Sequence, residues 1–553
     1  MCGFVGFIDE NDQTYDHRAA IVAMTDAIAH RGPDSEGYFE DGRAALGFRR
    51  LAIIDLAGAN QPLYNENRSL VLVFNGEIYN YRELRRQLIA AGHAFSTQGD
   101  AEVVLHGFER WGAGVLDRLR GMFAFALYDT ATGELFCARD AFGIKPLYYA
   151  VEGGRWFVPR FAPDAGRSLE ESAEAIEAAL RESVAAHAIA DVDVGCFLSA
   201  GMDSSLVARE AARIMEARTF TIGWGEGRFS ELEAAATFAR ATGLPNEGRI
   251  LDAEQFFASV PAVQYAMDEP LPNPSAVPLY HLCAMAAESV KVVLSGEGAD
   301  ELFGGYPYYQ ECLAFAPYMM VPAPARRALA AAARHLPEGT HGRRFLMRGA
   351  HPLPERYIRL EYNFPWAEAL DLLAPELGAR CAAAPTPWEL AAPLFAEIEA
   401  DEITAMQTAD ILTWMQQDIL LKADKMSMTS SLELRVPFLD REVFALASTL
   451  PASQRVGRRE TKIALRAAAA RTLPQATAAM PKQGFVTPLA QWLQEEPWHS
   501  QVREVLNGER ARRFFRTDRL NALLDEHQCG PRSHMKKIWS AYCFLIWHEQ
   551  YFG

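Results

Sequence analysis

The first stretch that could do chemistry is a Ser/Gly loop at residues 199–204, which carries one carboxylate, Asp203. The apolar run before it, residues 192–198, predicts a buried strand, and the Ala- and Arg-rich run after it predicts a helix. Backbone N–H groups in such a turn and the positive end of the helix dipole form a seat for phosphate. A carboxylate there suits Mg²⁺, which commonly bridges carboxylate and phosphate oxygens. The alternative is an ordinary strand–helix turn.

A second loop of this kind follows the apolar run 290–294, which predicts another strand. It places Glu297, Asp300 and Glu301 among small residues, beginning at Ser295-Gly296. Structural loops seldom concentrate carboxylates in this way, so the pattern favours a functional role over a plain connection.

A cysteine at position two suggests a different chemistry. Removal of Met1 would make Cys2 the N-terminal residue, and its α-amine (pKa about 7.7–8.0) could act as the base for its own thiol. One residue would then supply both nucleophile and base. The alternative is a buried structural cysteine, which is the usual role of a lone Cys.

Two residues after the apolar run 70–74 could support such a nucleophile. The Asn75 amide and the Gly76 N–H lie side by side in sequence and could stabilise an oxyanion. Asn-Gly is also the strongest short hairpin signal, and taken alone it favours a hairpin turn.

The elements that must position these residues fall into two groups. Short strands and a few helices in the first third predict an α+β sandwich, with strands at 47–55, 121–128 and 135–139 and a helix at 103–111. From about residue 180, strands alternate with helices, which predicts a doubly wound parallel sheet. Both Ser/Gly loops then lie at carboxyl ends of strands, where ligands of such sheets bind.

Composition narrows the class of protein. The chain of 553 residues is long enough for two or three domains. Its net charge of −17 and the lack of a basic run argue against a nucleic-acid surface. Eight scattered cysteines predict a reducing cytoplasm rather than disulfides or a zinc site. We expect no targeting leader and no membrane span, and therefore no membrane partner.

Taken in order, these motifs resemble the class II glutamine amidotransferase domain, an N-terminal-nucleophile fold. The later loops make nearly the whole chain resemble the glutamine-hydrolysing asparagine synthetase family, whose second part has the ATP-pyrophosphatase fold. The resemblance implies a glutaminase domain at residues 1–160, a linker at 161–168 and a synthetase domain at 169–553 with extra helices. It allows a homodimer.

The resemblance implies roles for the first domain. Cys2 attacks the glutamine side-chain amide and forms a glutamyl thioester, with Asn75 and Gly76 as the oxyanion hole. The resemblance implies that the glutamine backbone groups are held by Arg49 on the α-carboxylate and by Glu77 and Asp100 on the α-amine, pairings that suit these side chains. Arg50 is expected to be solvated or paired with a nearby acid.

For the second domain the resemblance implies ATP as a substrate and Mg²⁺ as the metal. Asp203 and Asp300 would bind the metal and pyrophosphate, Glu297 would lie beside an acyl-adenylate, and Lys462 would offset phosphate charge. The remaining ATP contacts would come from Leu198, Ser199, Gly201, Ser204, Ile222, Ser295 and Gly296. Ammonia released at Cys2 would travel inside the protein to the acyl-adenylate.

Some features depart from the family or stay open. The family's longer crossing segment between the domains is missing, Ala200 replaces a glycine, and residues 267–276 lack a Thr-Thr-x-Arg motif. Aspartate as acceptor, a larger or carrier-bound carboxylic acid, and a non-catalytic nucleotide-binding homologue therefore remain alternatives. Within a helix predicted at 410–428, Lys422 is expected to form a solvated pair with Asp418.

Overall fold

The computed structural model describes residues 2–9, 16–149, 159–199, 201–225, 230–337, 339–361, 363–478, 480 and 486–553. Ala200, residues 150–158 and residues 481–485 lie outside this set, whereas the predicted linker at 161–168 lies within it. All eight cysteines are free thiols. Among the described residues, no helix combines the length and the unbroken apolar character that crossing a bilayer requires.

The N-terminal part contains two antiparallel sheets. One has the strand order β1-β3-β2 and the other the order β4-β5-β6-β7. Their elements are β1 Gly3–Ile8, α1 His17–Ala27, β2 Ser35–Glu40, β3 Ala44–Arg50, β4 Leu63–Tyr64, β5 Leu70–Ile78, α2 Tyr81–Ala90, α3 Glu102–Trp111, β6 Gly121–Asp129 and β7 Leu135–Arg139.

Strand alternation explains how the two sheets pack. Val71 and Val73 of β5 face Leu46 and Phe48 of β3, so these side chains form a core between the sheets. The intervening residues of β5, such as Leu72, face the opposite way and pack with α2 and α3. The result is a layered sandwich, with α1 on one outer face and α2 and α3 on the other.

The second part is built on a parallel sheet with strand order β10-β9-β8-β11-β12. Its elements are α4 Leu169–His187, β8 Val194–Phe197, α5 Met202–Ala211, β9 Arg218–Gly223, α6 Leu232–Thr242, β10 Asn246–Ile250, α7 Ala253–Ala266, α8 Ala276–Ala287, β11 Val292–Leu294, α9 Ala299–Phe303, α17 Glu402–Leu412, α18 Leu421–Met428 and β12 Glu433–Arg435. The chain runs from β8 outward to β9 and β10, then returns to place β11 on the other side of β8. The gap between β8 and β11 is therefore the topological switch point, where open parallel sheets bind ligands.

Further helices surround this sheet. They are α10 Gln310–Met319, α11 Ala323–Arg334, α12 Arg343–Arg348, α13 Leu353–Glu361, α14 Trp366–Leu372, α15 Pro375–Ala382, α16 Pro387–Ala396, α19 Arg441–Ser448, α20 Ala452–Arg455, α21 Ile463–Thr472, α22 Gln475–Ala478, α23 Leu489–Trp492, α24 Trp498–Asn507, α25 Glu509–Phe514, α26 Thr517–Cys529 and α27 Met535–Phe552. The predicted helix at 410–428 is interrupted by a π-helical turn at Met415–Leu420. The predicted strand at 47–55 ends at Arg50.

Candidate functional site

Cys2 lies at the start of β1 and packs against the core between the two antiparallel sheets. Its Sγ is 3.7 Å from the carbonyl oxygen of Leu51. With Met1 retained, burial raises the pKa of Cys2 to about 11, against the opposing effect of the N-terminal ammonium. A thiol in this environment needs a base to become a nucleophile at neutral pH.

Asn75 and Gly76 do not form a hairpin. Both lie within β5 and pair with Ala124 and Phe123 of β6, so the hairpin prediction is wrong. Gly76 has φ +152°, and a Cβ there would lie 2.1 Å from the carbonyl oxygen of Met122, which explains the glycine. Asn75 is buried, and its Oδ1 has no hydrogen-bond partner among the described residues.

Glu77 and Asp100 form a buried acidic pair close to the N-terminus. Burial, and next the charge of Asp100, raise the pKa of Glu77, while Arg435 and, to a smaller extent, the N-terminal ammonium lower it. Burial raises the pKa of Asp100 to about 6, although its Oδ2 accepts a 2.7 Å hydrogen bond from Ile78 N. The pair can therefore attract a cationic group brought into the site.

Arg49 lies on the face of β3 that points away from the core between the two sheets. Its guanidinium pairs with Asp26 and Glu36, and its Nε donates to the carbonyl oxygen of Thr25 at 3.2 Å. This is the α1 side of the sheet, opposite the layer that Cys2 contacts. The structure thus does not bring Arg49 together with Cys2.

Arg50 was expected to be solvated or paired with an acid, and this expectation is wrong. The side chain is buried, and its guanidinium donates to the carbonyl oxygens of Leu56 (3.0 Å), Ile54 (3.3 Å) and Asp55 (2.6 Å). Because residues in a strand alternate in direction, Arg50 shares the inward face with Phe48. These hydrogen bonds hold the backbone of the segment that begins at Leu51.

A cavity of about 1690 Å³ lies beside this region. The edge strands β1, which begins at Gly3, and β7 line the cavity, and Asn75 of β5 also lies in its wall. Cys2 does not line it. Asp268, Leu412, Gln416 and Lys425 of the second part complete the wall. The cavity is thus shared by both parts of the chain.

A second site lies at the switch point of the parallel sheet. The ammonium of Lys462 contacts Asp203 Oδ2 at 2.6 Å and Asp300 Oδ1 at 2.7 Å, so one cation joins both Ser/Gly loops. Lys462 is 3% exposed and lies before α21 in a left-handed conformation, with φ +56°. Such strain in a non-glycine residue, of order 1–3 kcal/mol, persists where the surroundings fix the residue, often at functional sites.

The two loops also touch through their backbones. A Cβ on Gly296 would lie 2.9 Å from Ser204 N, and one on Gly305 would lie 1.9 Å from Asp300 Oδ1. Ser204 caps the first loop by accepting from Ser199 N at 3.1 Å. The predicted ATP contacts gather at this edge, since they are at or near the ends of three strands: Leu198, Ser199, Gly201, Ser204, Ile222, Ser295 and Gly296.

Two family models match the chain. The Asparagine synthase model covers residues 175–549, and the Glutamine amidotransferase domain model covers residues 1–192. The chain belongs to the asparagine synthase family.

Two relatives align with this chain over nearly its full length. A Mycobacterium tuberculosis protein, itself only provisionally named a glutamine-hydrolysing asparagine synthetase, is 38% identical over 99% of this chain and 97% of its own. Asparagine synthetase [glutamine-hydrolyzing] 1 of Bacillus subtilis is 36% identical over 99% and 96%. The first alignment spans 639 positions, more than the 553 residues here, so the relative contains segments that this chain lacks.

Other comparisons align with a smaller share of this chain. The Asparagus officinalis asparagine synthetase [glutamine-hydrolyzing] is 32% identical over 56% of this chain and 60% of its own. A solved glutamine phosphoribosylpyrophosphate amidotransferase of B. subtilis covers 37% of this chain and 51% of its own at 19% identity. Its TM-score of 0.19 supports no statement about the fold.

In this asparagine synthase family chain, the second Ser/Gly loop, which carries Asp300, also carries the half-buried carboxyl of Glu297. Burial raises the pKa of Glu297, which the nearby Lys422 opposes, and Glu297 accepts a hydrogen bond from Ser295. Lys422 is buried, and its Nζ donates to Ser275 Oγ at 2.9 Å. It also pairs with Asp418 at 4.0 Å, as expected, but both side chains are buried, so the expectation that this pair is solvated is wrong.

Buried ion pairs cross from one site to the other, and sequence reasoning missed them. Arg31 donates to both carboxylate oxygens of Asp424, at 2.9 and 3.3 Å, and its Nε lies 3.3 Å from the Cys2 carbonyl oxygen. Asp424 and Lys422 both lie on α18. One short helix thus connects the neighbourhood of Cys2 with that of Glu297.

Arg435, at the end of β12, provides a second connection. Its guanidinium contacts Glu77 at 3.1 Å and Glu433 at 2.6 Å, and all three side chains are buried. Its carbonyl oxygen accepts from Ser295 N at 2.9 Å. In the sequence, Glu433 and Arg435 flank Leu434, and this pattern alone does not predict a contact with Glu77.

Proposed function

We propose that this protein is a glutamine-dependent amidotransferase that activates a carboxylate with ATP and converts aspartate to asparagine. The observation that carries the proposal is that one ammonium, Lys462, contacts both Asp203 and Asp300, while Cys2 lies in a separate site of the same chain. A nitrogen-releasing site and a nitrogen-consuming site are what this reaction requires.

At the Cys2 site we infer an N-terminal-nucleophile mechanism. Once Met1 is removed, the α-amine takes the thiol proton, and the thiolate attacks the glutamine side-chain carbonyl. The α-ammonium returns its proton to the amide nitrogen as the C–N bond breaks, so ammonia leaves, and water then hydrolyses the thioester to glutamate and frees the thiol. Asn75 and Gly76 would bind the oxyanion, and Glu77 and Asp100 would hold the α-amine. Arg50, not Arg49, is the arginine on the Cys2 side of β3.

At the Lys462 site the acceptor carboxylate attacks the α-phosphorus of ATP and pyrophosphate leaves. Lys462 offsets the charge that develops on the phosphates. Asp203 and Asp300 fit a metal role, because the buried Asp203 Oδ1 has no hydrogen-bond partner among the described residues. Mg²⁺ held there would neutralise pyrophosphate oxygens. The predicted backbone contacts to ATP, from Leu198 through Gly296, remain part of this proposal.

Ammonia then attacks the acyl-adenylate, forming the C–N bond and releasing AMP. Glu297, whose pKa is raised by burial, is placed to accept the proton that the nitrogen loses. We infer that ammonia passes along the buried interface marked by Arg31 and Asp424, which leads to α18 and Lys422. We propose that the protein acts in the cytoplasm. The domain boundaries at residues 160 and 168 remain predictions, as does a homodimer.

A second candidate keeps this chemistry and changes the acceptor. The segments that a longer relative has and this chain lacks favour it, together with the absence of a Thr-Thr-x-Arg motif from residues 267–276. A larger or carrier-bound carboxylic acid would be the substrate. The non-catalytic alternative has less support, since its one sequence departure, Ala200, lies outside the described residues.

The test incubates the full chain with aspartate, glutamine and Mg-ATP, and measures asparagine, AMP and pyrophosphate. Stoichiometric formation of all three is the expected result. Hydrolysis of glutamine without asparagine, but with AMP release on adding other carboxylic acids, would favour the second candidate. Absence of any AMP or pyrophosphate would support a non-catalytic homologue.

A further inference from the structure

Four side chains with metal-binding atoms converge on the outer face of the N-terminal domain. They come from three segments: the β4–β5 turn, the residues after α2, and α3. We name them the His–Glu cluster: Glu66, His93, His106 and Glu109. Strand β5 separates this cluster from Cys2, which packs on the inner side of the same sheet.

The distances between the donor atoms match one shared ion. Nitrogen and oxygen ligands lie about 2.0–2.2 Å from Zn²⁺, so neighbouring ligands of a tetrahedral ion are about 3.3–3.6 Å apart. His93 Nδ1 lies 3.6 Å from a carboxylate oxygen of Glu66 and 3.6 Å from one of Glu109. His106 Nδ1 lies 3.7 Å from the other Glu66 oxygen, and it makes a 2.9 Å hydrogen bond with Glu109 Oε2, which a bound ion would lengthen to the ligand spacing. All four ligand atoms lie within 4.8 Å of one another.

The second ring nitrogen of His106 faces away from this centre. His106 Nε2 lies 3.5 Å from Glu102 Oε1, a long contact directed at a buried carboxylate. Metal-bound histidines commonly direct their second nitrogen at such a group. Four hydrogen bonds of 2.8 Å from Ser96 and Thr97 hold Glu102 in place.

The two acidic ligands are oriented in the same way. Glu109 Oε1 accepts from Asn65 Nδ2 at 2.8 Å, which leaves Oε2 facing both histidines. Glu66 Oε1 accepts from Ala94 N at 2.9 Å. Both acidic ligands are therefore held by groups outside the cluster, which an ordinary exposed ion pair does not require.

We propose that the His–Glu cluster binds one divalent transition-metal ion, for which Zn²⁺ is the best match. Two imidazoles and two carboxylates suit Zn²⁺ and Co²⁺, whereas Mg²⁺ prefers oxygen ligands in octahedral geometry. The ion would tie α3 to the β4–β5 turn and to the segment after α2. Its role would be to stabilise the domain, separately from the amidation reaction.

The competing account is a cluster joined by a shared proton. Burial lowers the pKa of His106, but the neighbouring carboxylates of Glu102 and Glu109 outweigh this and raise it. A protonated histidine between carboxylates would then hold the same side chains together. Metal binding would have to displace that proton, so the two accounts differ in a direct titration.

The experiment titrates the chelator-treated full chain with Co²⁺, followed by its visible d–d absorption, and then displaces Co²⁺ with Zn²⁺. We expect one equivalent to bind, a tetrahedral spectrum, and a higher midpoint of thermal unfolding with Zn²⁺ but not with Mg²⁺. His93→Gln should weaken binding by about 100-fold or more, given that even outer groups contribute about 10–100-fold. His351→Gln, which removes a histidine paired with Glu355 at 2.8 Å on another surface, is the matched control.

Equal affinity in His93→Gln and His351→Gln, or no stoichiometric binding to the wild-type chain, would overturn the proposal. Circular dichroism establishes that each variant is folded. Should His93→Gln not fold, Glu66→Gln at the more exposed edge of the cluster replaces it, with the same expected loss of Co²⁺ affinity.

Discussion

The two sites of this chain are held together in different ways. At the Lys462 site, the charged residues follow two neighbouring strands of one parallel sheet, and a single ammonium joins the two loops. At the Cys2 site, the residues come from two antiparallel sheets, and Arg435 of the other domain contacts Glu77. The first site is thus local to one sheet, whereas the second depends on the docking of the domains.

This difference suggests how the two activities depend on each other. Disturbing the interface should affect the Cys2 site and the transfer of ammonia before it affects ATP chemistry. Disturbing the Lys462 site should leave glutamine hydrolysis intact. Each prediction below tests one side of that comparison.

The largest effect is expected from Lys462→Met. Loss of the ammonium leaves Asp203 and Asp300 facing each other and the phosphates, so amidation should fall by about 10²–10³-fold or more with glutamine or ammonium. Glutamate release without ATP should stay within about twofold. AMP and glutamate assays measure both, with the exposed Lys536→Met as control. A parallel loss of glutaminase would break the separation of the sites.

Asp424→Asn should have the next largest effect. It leaves the buried Arg31 without its counterion, which typically costs about 3–5 kcal/mol of unfolding free energy. Glutamate should also form in excess of amide product, because the interface along the inferred ammonia route is disturbed.

Urea unfolding and the ratio of glutamate to AMP measure these two effects. The control is Asp371→Asn, an exposed partner of Arg516 at 2.7 Å, for which at most about 1 kcal/mol is expected. Similar results for the two variants would contradict the coupling role of the buried pair.

The pH dependence of glutamine binding should be smaller. Burial raises the pKa of Asp100 to about 6, so below that pH the carboxyl is neutral and no longer attracts the glutamine α-amine. The KM of the glutaminase reaction should therefore rise as pH falls through about 6, by roughly tenfold per unit. Asp100→Asn should have a high KM that no longer changes over this range. A wild-type KM that is constant between pH 5 and 7 would contradict the assignment.

Arg49→Met should have the smallest effect. Its ion pairs with Asp26 and Glu36 involve largely exposed acids, so the expected loss of unfolding free energy is at most about 1 kcal/mol. The KM for glutamine should change by less than about twofold. A tenfold rise in KM would indicate that Arg49 binds glutamine, and it would contradict the placement of Arg49 on the α1 side of β3.

The sequence predicted the Lys462 site better than the Cys2 site for a physical reason. Ser/Gly loops after strands are local signals, and parallel strands bring their carboxyl ends to one edge. The choice between Arg49 and Arg50 depends on which face of β3 each occupies, and adjacent residues of a strand face opposite ways. Without the register of β3, the sequence alone does not show that Arg50, and not Arg49, lies on the Cys2 side.

Long-range contacts explain the other differences. Asn75-Gly76 has the composition of a hairpin turn. However, β5 pairs with β6 along the whole of its length, so the strand continues through both residues without turning. Lys422 was expected to be exposed with Asp418, yet Ser275, far away in sequence, accepts its hydrogen bond. The π-helical turn at Met415–Leu420 could not be seen in a periodic pattern, since it inserts a residue into the helix.

The measurement that tests the central claim most directly is the nitrogen-source dependence of Cys2→Ala, followed by AMP release. With glutamine as the donor, amide product should be undetectable, because no nucleophile releases ammonia. With ammonium chloride as the donor, AMP and amide product should form at rates within about twofold of the wild-type chain, since the Lys462 site is unchanged. Loss of both reactions in a folded Cys2→Ala variant would contradict two separate sites joined by transferred ammonia.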